Sequence, residues 1–389
     1  MINYRKHRLP IEWRKCNLSD AVDFLDNKRI PLKEEDRKTR KGPYPYYGAS
    51  GIIDYIDDYI FDEDLILLAE DGANILNRAT PIAFKATGKY WVNNHAHVLR
   101  PKINADINYL TYYLESLSYI QFNSGAAQPK LNHEVCSTIP VVLPSICEQK
   151  AIADLLSTWD EAIERTERLI QAKERRFQWL LRRTMTDTAK GIVKEGWKRI
   201  AIGSLLTESR IPDMTNDPHK RLTVRLHLRG VEAREVRGTE ASDATAYFVR
   251  KADQLIYGKQ NIFKGAVGIV PPELDGYAST QDIPAFDIDK TVDPGWLLFL
   301  FSCPGFYKKL EIYASGSGSK RLHPKDLFKI SVSVPSLEEQ KSFAERLYIA
   351  RKEINLLEQL AERYKTQKRG LMQKLLTGQW RIKFEKEVA

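Results

Sequence analysis

Residues 143–150 read Leu-Pro-Ser-Ile-Cys-Glu-Gln-Lys, and residues 334–341 read Val-Pro-Ser-Leu-Glu-Glu-Gln-Lys. The two stretches lie 191 positions apart, and the same offset places Leu180 on Leu371 without a gap. The match begins at about residue 124 and continues through the charged segment that follows each stretch, but it is lost further upstream. The chain is therefore an internal repeat in which one part keeps its sequence and the other part diverges.

Each copy of the motif begins a long helix. The serine of each Pro-Ser pair can cap the helix, and Glu148 or Glu339, three residues later, can complete a capping box. Apolar residues then recur at alternating spacings of four and three, which is typical of a coiled coil. We predict helices over 145–188 and 336–378 that pair through an apolar seam. The seam residues are Ile152, Leu156, Trp159, Ile163, Ile170, Phe177, Leu347, Ile354, Leu357, Tyr364 and Leu371.

The segment between the two helices decides their relative direction. A compact domain with adjacent ends returns the chain to its starting point and favours antiparallel helices. Antiparallel repeats would be related by a pseudo-twofold axis, and about 35 helical residues would form a rod of roughly 50 Å. Charged runs such as 173–176 are typical of a solvent-exposed helix face, whereas the apolar surface at Phe177, Trp179, Leu181 and Met185 indicates a docked partner or a wider core.

Composition limits the class of protein. With 389 residues and 43% apolar content, the chain can bury more than one core. The 60 Lys and Arg against 51 Asp and Glu give a net charge of +9, which favours nucleic acid as a partner, although surplus lysine also occurs in other soluble proteins. The four cysteines lack CxxC spacing, and the longest apolar run, 296–301, is far shorter than a membrane span. A reduced, cytoplasmic protein is expected.

Two diverged domains precede the helices. We predict domains over 1–144 and 189–335, each beginning at a tryptophan followed by basic residues. Short β-like runs broken by turn residues indicate mixed α+β domains, with apolar helices over 107–122 and 296–312. The tail, 379–389, again reads Trp followed by a basic residue and resembles the start of a further repeat, which predicts that the two ends of the chain lie close together.

A Ser-Gly loop follows the apolar helix of each domain, at 124–131 and 315–322. Small residues let such a loop approach a phosphate closely, although a plain flexible connector is the alternative. A second polar segment, 70–74 or 257–264, follows a β-like run, and its amide and basic side chains are of the types that read base edges. The candidate DNA-binding residues are Gln128, Lys130, Lys259, Gln260, Asn261, Lys264, Lys320 and Arg321.

Patterns for catalysis and metal binding are missing from the sequence. His95 and His97 are the only candidate metal ligands, and no cysteine or carboxylate near them in sequence completes a site. The chain lacks a Walker A motif, the Asn-Pro-Pro-aromatic and Asp-Pro-Pro-aromatic motifs of methyltransferases, and a nuclease carboxylate pattern. We therefore predict neither catalytic residues nor metal ligands.

The order of these features resembles the specificity (S) subunit of type I DNA restriction-modification enzymes. The resemblance covers essentially the whole chain: two target-recognition domains, two helices opened by Pro-Ser-x-x-Glu-Gln-Lys, Trp-basic domain starts and Ser-Gly loops. It implies a non-catalytic subunit of a host-defence complex whose domains each read one half of a bipartite DNA target, while the helices set the spacer. Because the two domains diverge, we expect the half-sites to differ and the target to be asymmetric. Two modification (methyltransferase) subunits and restriction subunits would dock on the specificity subunit. S-adenosylmethionine, ATP and Mg would be bound by those partners, and no cofactor by this chain.

Two other functions are compatible with the sequence. The chain could read DNA in a type IIB-like system with a different catalytic partner. It could also be a tandem scaffold whose domains bind proteins, in which case the positive charge is incidental. A steep loss of affinity with salt would separate DNA binding from the scaffold function.

Overall fold

The computed structural model describes residues 9–125, 128–236, 246–316 and 319–382. The chain divides into two compact units: unit 1 contains residues 1–166 and 360–389, and unit 2 contains residues 167–359. Both units combine helices with sheets, so the α+β prediction is confirmed. The units do not coincide with the predicted domains, because each unit includes part of both long helices.

Unit 1 is built on a four-stranded antiparallel sheet with the strand order β2-β9-β6-β7. Its central strand β6 (Leu65–Ala69) is completely buried, which explains the continuous apolar run there. A second sheet has the order β4-β3-β8-β5, and β1 pairs with β10. The other elements of this unit are β1 Arg14–Asn17, α1 Leu18–Ala21, β2 Val22–Phe24, α2 Glu34–Thr39, β3 Lys41–Gly48, β4 Gly51–Ile56, β5 Phe61–Asp62, α3 Asn74–Asn77, β7 Ala83–Ala86, β8 Lys89–Val92, β9 Ala96–Pro101, α4 Ile107–Ser116, α5 His133–Ser137 and β10 Pro140–Leu143.

Unit 2 contains an equivalent four-stranded sheet and strand pair, which we call the shared β frame, but its other strands differ from those of unit 1. Its main sheet has the order β12-β20-β17-β18, and β11 pairs with β21 as β1 pairs with β10. A three-stranded sheet, β13-β16-β19, and a hairpin, β14-β15, replace the second sheet of unit 1. The elements are β11 Lys198–Ala201, β12 Leu206–Ser209, β13 Ile211–Pro212, β14 Leu222–Val224, β15 Val231–Ala233, β16 Tyr247–Val249, β17 Leu255–Tyr257, β18 Val267–Ile269, β19 Ala278–Thr280, β20 Ala285–Ile288, α7 Pro294–Ser302, α8 Pro304–Tyr307, α9 Pro324–Leu327 and β21 Ser331–Val334.

The two apolar helices are shorter than the sequence predicted. In unit 1 the helix ends at Ser116, and a 3₁₀ turn over Ile120–Phe122 follows it. In unit 2 the helix ends at Ser302, where the extended Cys303 interrupts it before α8 begins at Pro304. Proline cannot continue a preceding helix, and it disfavours a helical conformation in the residue before it.

The two long helices are α6 (Ile146–Lys190) and α10 (Leu337–Leu375). In unit 1 the beginning of α6 packs against the end of α10. The rings of Trp159 and Tyr364 are 5.6 Å apart, and Lys368 Nζ lies 2.5 Å from an Asp160 carboxylate oxygen. Leu375 and Leu376 complete the core beside Ile152 and Leu156. The two segments therefore run antiparallel in this unit.

The same arrangement recurs within unit 2, where the end of α6 packs against the beginning of α10. Arg351 donates to Glu174 over 2.9 Å, and Lys173 Nζ lies 2.6 Å from Glu353. Trp179 is 55% exposed, whereas three neighbouring apolar residues, Phe177, Leu181 and Met185, lie in the core. The wider-core explanation thus holds for those three residues. The seam residues are buried or half-buried in each unit: Ile152, Leu156, Trp159, Ile163 and the later residues Ile170, Phe177, Leu347, Ile354, Leu357, Tyr364 and Leu371.

The matching glutamates at the two helix starts both accept from a tryptophan, since Trp197 Nε1 donates to Glu339 over 3.4 Å and Trp13 Nε1 donates to Glu148 over 3.1 Å, but their other contacts differ. At α10 the capping box forms as predicted, because Ser336 N–H donates to Glu339 and Glu339 N–H donates to Ser336 Oγ. Despite burial, the hydrogen bonds from Ser336 lower the pKa of the Glu339 carboxyl. At α6 the Glu148 carboxylate instead accepts hydrogen bonds from Trp13 Nε1 and Arg381. The prediction of a complete box at α6 was therefore wrong.

The tail packs against the beginning of the chain inside unit 1. Arg381 binds Glu12 as well as Glu148, over 3.0 Å and 2.6 Å. Gly378 adopts a φ of +72°, and a Cβ at that position would lie 2.6 Å from the Pro10 ring. Glycine is therefore required where the chain turns from α10 into the tail. The predicted proximity of the two ends is seen in these described residues, whereas residues 1–8 and 383–389 lie outside the described part.

These contacts predict unequal roles for the matching glutamates. Glu148→Ala removes three hydrogen bonds and leaves the buried Trp13 N–H unpaired, so it should destabilise unit 1 by about 3 kcal/mol. Glu339→Ala removes a helix cap and one long hydrogen bond, from Trp197 Nε1 over 3.4 Å, and should cost unit 2 about 1 kcal/mol. Hydrogen-exchange mass spectrometry of the full chain across a urea series measures each unit separately. Equal losses of stability in the two variants would contradict the assignment of different roles to Glu148 and Glu339.

Candidate nucleic-acid interface

The structure brings the predicted loops and strand-end segments together in both units. In unit 1, Glu70 follows β6; its N–H donates to the His95 carbonyl over 2.9 Å, and its carbonyl accepts from Leu131 N–H over 2.7 Å. In unit 2, β17 is followed by Gly258 and then by Lys259. The Lys259 N–H donates to the Asp282 carbonyl, and the Lys259 carbonyl accepts from Leu322 N–H, both over 2.9 Å. Leu131 and Leu322 are matching residues of the repeat, so Glu70 and Lys259 occupy equivalent positions. We define junction 1 as Glu70, Asp71, Gln128, Lys130 and Leu131, and junction 2 as Lys259, Gln260, Ser319, Arg321 and Leu322.

The Ser-Gly pairs have a structural reason. Ser124 N–H donates to the Lys130 carbonyl over 2.8 Å, and Ser315 exchanges backbone hydrogen bonds with Arg321. A Cβ on Gly125 would lie 1.8 Å from the Gln128 carbonyl oxygen, and one on Gly316 would lie 2.7 Å from that of Ser319. The glycines are needed to close the loops, so their repetition alone is no argument for phosphate contact. Residues 126–127 and 317–318 of these loops lie outside the described residues.

A buried charged network underlies junction 1. His97 is 1% exposed; its Nδ1–H donates to Asp26 over 2.6 Å, and its Nε2–H donates to the Leu131 carbonyl over 2.8 Å. Because both ring nitrogens face acceptors, the imidazole is held as a cation. Burial opposes this charge, but the hydrogen bond to Asp26 raises the pKa of His97 to about 10. The same contact lowers the pKa of Asp26 against the effect of its burial.

The basic side chain of junction 1 is ion-paired. Lys130 is half-exposed, and its Nζ lies 3.3 Å from the Glu70 carboxylate, which also accepts from Arg29 over 2.7 Å. Asp71 lies 2.8 Å from His95 Nδ1. Folding thus brings carboxylates to both histidines, although none is near them in sequence. Within the described residues, no group of three or more His, Cys, Asp and Glu could hold a metal ion.

Junction 2 has a different charge arrangement. The Lys259 side chain is 8% exposed, and burial lowers the pKa of its ammonium group. Gln260 Nε2 donates to Ser319 Oγ over 2.6 Å, which ties the strand-end segment to the loop. Arg321 is about half-exposed and lies 3.8 Å from Asp282, and Lys320 is paired with Glu311 over 3.0 Å.

The remaining candidates lie beside these junctions. Gln128 is exposed in the loop of unit 1. In unit 2, Lys264 is exposed, whereas Asn261 is half-buried and its carbonyl accepts from Lys264 N–H over 2.9 Å. The backbone of Asn261 thus closes the turn after Lys259.

Sequence reasoning missed a basic hairpin next to Lys264. The turn between β14 and β15 is held by His227 N–H, which donates to the Lys264 carbonyl over 2.9 Å. His227 and Leu228 both have φ of +60°, a conformation that non-glycine residues adopt at a cost and that often marks functional sites. The turn adds exposed Arg225 and Arg229 to the surface. The alternation of basic residues at 225, 227 and 229 was the available sequence signal.

A buried arginine organises the segment that faces Lys259. Arg250 is 1% exposed and donates to Ser279 Oγ and to the carbonyls of Ser209 and Ile283. Its described acceptors are neutral, and burial lowers the pKa of its guanidinium to about 10. Arg250 therefore fixes the backbone around Asp282, whose carbonyl accepts from Lys259.

Comparison with known proteins bears on what such a surface contacts. Residues 10–174 match the family model of the type I restriction modification DNA specificity domain. This part of the chain is therefore similar to the type I restriction modification DNA specificity domain.

The proteins to which this chain is similar cover it to different extents. A putative type I restriction enzyme specificity subunit of Haemophilus influenzae is 34% identical over 146 residues, covering 38% of this chain and 36% of that protein. The MjaVIII specificity subunit of Methanocaldococcus jannaschii is 23% identical over 97% of this chain and 95% of its own length. The crystal structure of a type I restriction-modification S subunit from M. genitalium superposes with a TM-score of 0.63 at 14% identity, covering 99% of this chain and all of that one. This likeness establishes a shared fold.

The helices do not have the character of membrane spans. Over the described ranges, no helix combines the length and apolar character that crossing a bilayer requires.

The His97 network predicts a pH dependence of stability. An imidazole whose pKa is about 10 in the folded state and about 6.5 when unfolded contributes stability that is complete below pH ~6.5 and is lost as the pH rises towards 10. His97→Gln should lower the stability of unit 1 and remove this slope. Urea unfolding of the full chain between pH 6 and pH 10, followed by tryptophan fluorescence, would measure the change of stability with pH.

His133→Gln is the matched control for this measurement. His133 also faces Asp26, but it is 61% exposed and lies 3.7 Å away. This variant should keep the pH slope of the original chain. If His97→Gln retained the slope, the assignment of a buried imidazolium would be wrong.

Proposed function

We propose that the chain is the non-catalytic, sequence-specific DNA-binding subunit of a type I restriction-modification complex. One observation carries the proposal: two units share a β frame and a loop junction, yet present different side chains at equivalent junction positions. Glu70 and Lys259 are the sharpest example, because their backbone hydrogen bonds match and their charges are opposite. A shared frame with different surface chemistry is suited to reading two different sequences.

Each unit would read one half of a bipartite target, and the two half-sites would differ. Lys264, the hairpin that includes Arg229, and the half-exposed Arg321 supply base-reading and phosphate-binding groups in unit 2. In unit 1, exposed Gln128 is the clearest candidate for reading a base edge. The long helices α6 and α10 would fix the unspecified spacer between the half-sites.

Partner subunits would dock on the helices. Tyr348, Ile349 and Leu356 of α10 are each more than half exposed, as is Trp179 of α6, which fits a surface covered by another protein. A solved chain with a TM-score of 0.53 and 12% identity is described in terms of complex assembly of a type I restriction-modification system. We propose two modification subunits and restriction subunits as partners in the cytoplasm. S-adenosylmethionine, ATP and Mg would act on those subunits, and this chain would hold no cofactor.

Two other functions lead to different outcomes. A type IIB-like system would show the same DNA reading with a different catalytic partner. A tandem protein-binding scaffold would bind its partners without a specific DNA sequence and without a steep salt dependence.

Methylation mapping tests the proposal directly. DNA from cells that express this chain with its candidate modification subunit should carry a new methylated adenine motif that is bipartite and asymmetric, because the two junctions differ in charge. Long-read sequencing that detects modified bases would identify the motif. Cells that express the modification subunit alone are the control and should lack it.

The absence of a new motif, despite an active modification subunit, would favour the scaffold function. A palindromic motif would contradict the proposal that the two units read different half-sites.

A further inference from the structure

The two junctions handle charge in opposite ways at one equivalent position. Glu70 and Lys259 each donate their N–H to the carbonyl of a neighbouring segment and accept at their carbonyl from the matching leucines, Leu131 and Leu322. Their side chains therefore leave the same point of the same frame. In unit 1 this point carries an anion, and in unit 2 it carries a cation.

In junction 1 the anion neutralises the basic loop residue. The Glu70 carboxylate lies 3.3 Å from Lys130 and 2.7 Å from Arg29. The cations that surround this carboxylate are thus satisfied within the unit. Lys130 would have to leave Glu70 before it could contact a phosphate closely.

In junction 2 the matching cation lacks such a partner. Lys259 is more than nine-tenths buried, and no carboxylate of the described residues lies within ion-pair distance of its ammonium group. The Lys259 ammonium group is nevertheless not fully enclosed, so the tip of the side chain still meets solvent. A charge held in a poorly solvated position without a counterion is costly, and such groups concentrate at functional sites.

The surroundings of Lys259 direct it towards an anion from outside the protein. Burial lowers the pKa of Lys259 most; Asp282 and Glu208 raise it, and Arg210 and Arg321, the latter from the loop position that matches Lys130, lower it. The nearby carboxylates are occupied by other cations: Asp282 lies 3.8 Å from Arg321, and Glu208 lies 3.1 Å from Arg210. Gln260 holds the loop in place through Ser319.

We propose that Lys259 and Arg321 together form a DNA-phosphate contact in unit 2 that unit 1 lacks. The proposal rests on the proposed DNA-binding function and specifies it further. The two units would contribute unequally to the electrostatic part of the DNA affinity. Unit 2 would supply a phosphate contact at the position where, in unit 1, Glu70 neutralises the basic side chain. Lys259 would supply a compact positive charge to the phosphate, and the more exposed Arg321 would supply the planar hydrogen-bond donors of its guanidinium group.

The salt dependence of DNA binding tests this contact. The full chain, assembled with its candidate modification subunit, is titrated against a fluorescent duplex that carries the site identified by methylation mapping. Loss of one phosphate contact lowers the slope of log affinity against log salt by about 0.9. Lys259→Met should show this loss, and its melting temperature should not fall, because a buried unpaired charge has been removed.

Three further variants define the contact. Arg321→Gln changes a half-exposed side chain without touching the core, so it should lower the slope even if Lys259→Met fails to fold. Lys130→Met should change the slope less than Lys259→Met does, since Glu70 already neutralises Lys130. Lys329→Met removes a largely exposed charge from the same unit and is the control for a general loss of charge.

An unchanged slope in both Lys259→Met and Arg321→Gln would overturn the inference, and so would an equal loss in Lys130→Met. These outcomes leave the proposed function intact as long as the unaltered chain binds its mapped site. Melting curves in inorganic phosphate and in chloride at equal ionic strength identify the source of the anion. Stabilisation by phosphate that is lost in Lys259→Met, combined with an unchanged DNA slope, would identify a free-anion site and overturn the DNA assignment.

Discussion

Closure of unit 1 by residues from the far end of the chain is the constraint on which the structure depends. Leu375 and Leu376 are buried beside Ile152 and Leu156, and Arg381 reaches Glu148 at the start of α6. The first 166 residues alone would leave that apolar surface exposed, and each Å² left in water would reduce the free energy of unfolding by roughly 25 cal/mol. The helices must therefore run antiparallel in this unit, because only then does the end of α10 meet the beginning of α6.

Sequence predicted the parts of the fold that obey a strong periodicity. The two long helices begin within one residue of their predicted starts, since serine caps and an alternating apolar spacing leave little freedom. The apolar helices of each unit were overestimated because hydrophobic content alone does not mark their ends. The partition into units was also different from the predicted domains. That Leu376 and Ile152 belong to one core depends on tertiary packing, which no local pattern encodes.

The candidate site was less predictable than the fold. The sequence pointed to the loops and to the strand ends, and folding does bring them together through Leu131 and Leu322. It did not reveal that Lys130 is paired with Glu70, because the two residues are far apart in the chain. For the Ser-Gly pairs the sequence left phosphate contact and a plain connector open, whereas the structure shows that the space around Gly125 and Gly316 already requires glycine. Electrostatic partners and steric limits of this kind exist only in three dimensions.

The composition of the units has a consequence for the order in which they form during synthesis. Unit 2 is one continuous segment, 167–359, so all of its residues have been translated before residue 360 is added. Unit 1 begins first but needs the segment from 360 onward, and at translation speeds of about 5–20 residues per second it waits roughly 10 to 40 seconds after residue 166 for that segment. The second unit in the sequence can thus be the first to fold, and the apolar surface around Leu156 is open to chaperones or to other chains until translation ends.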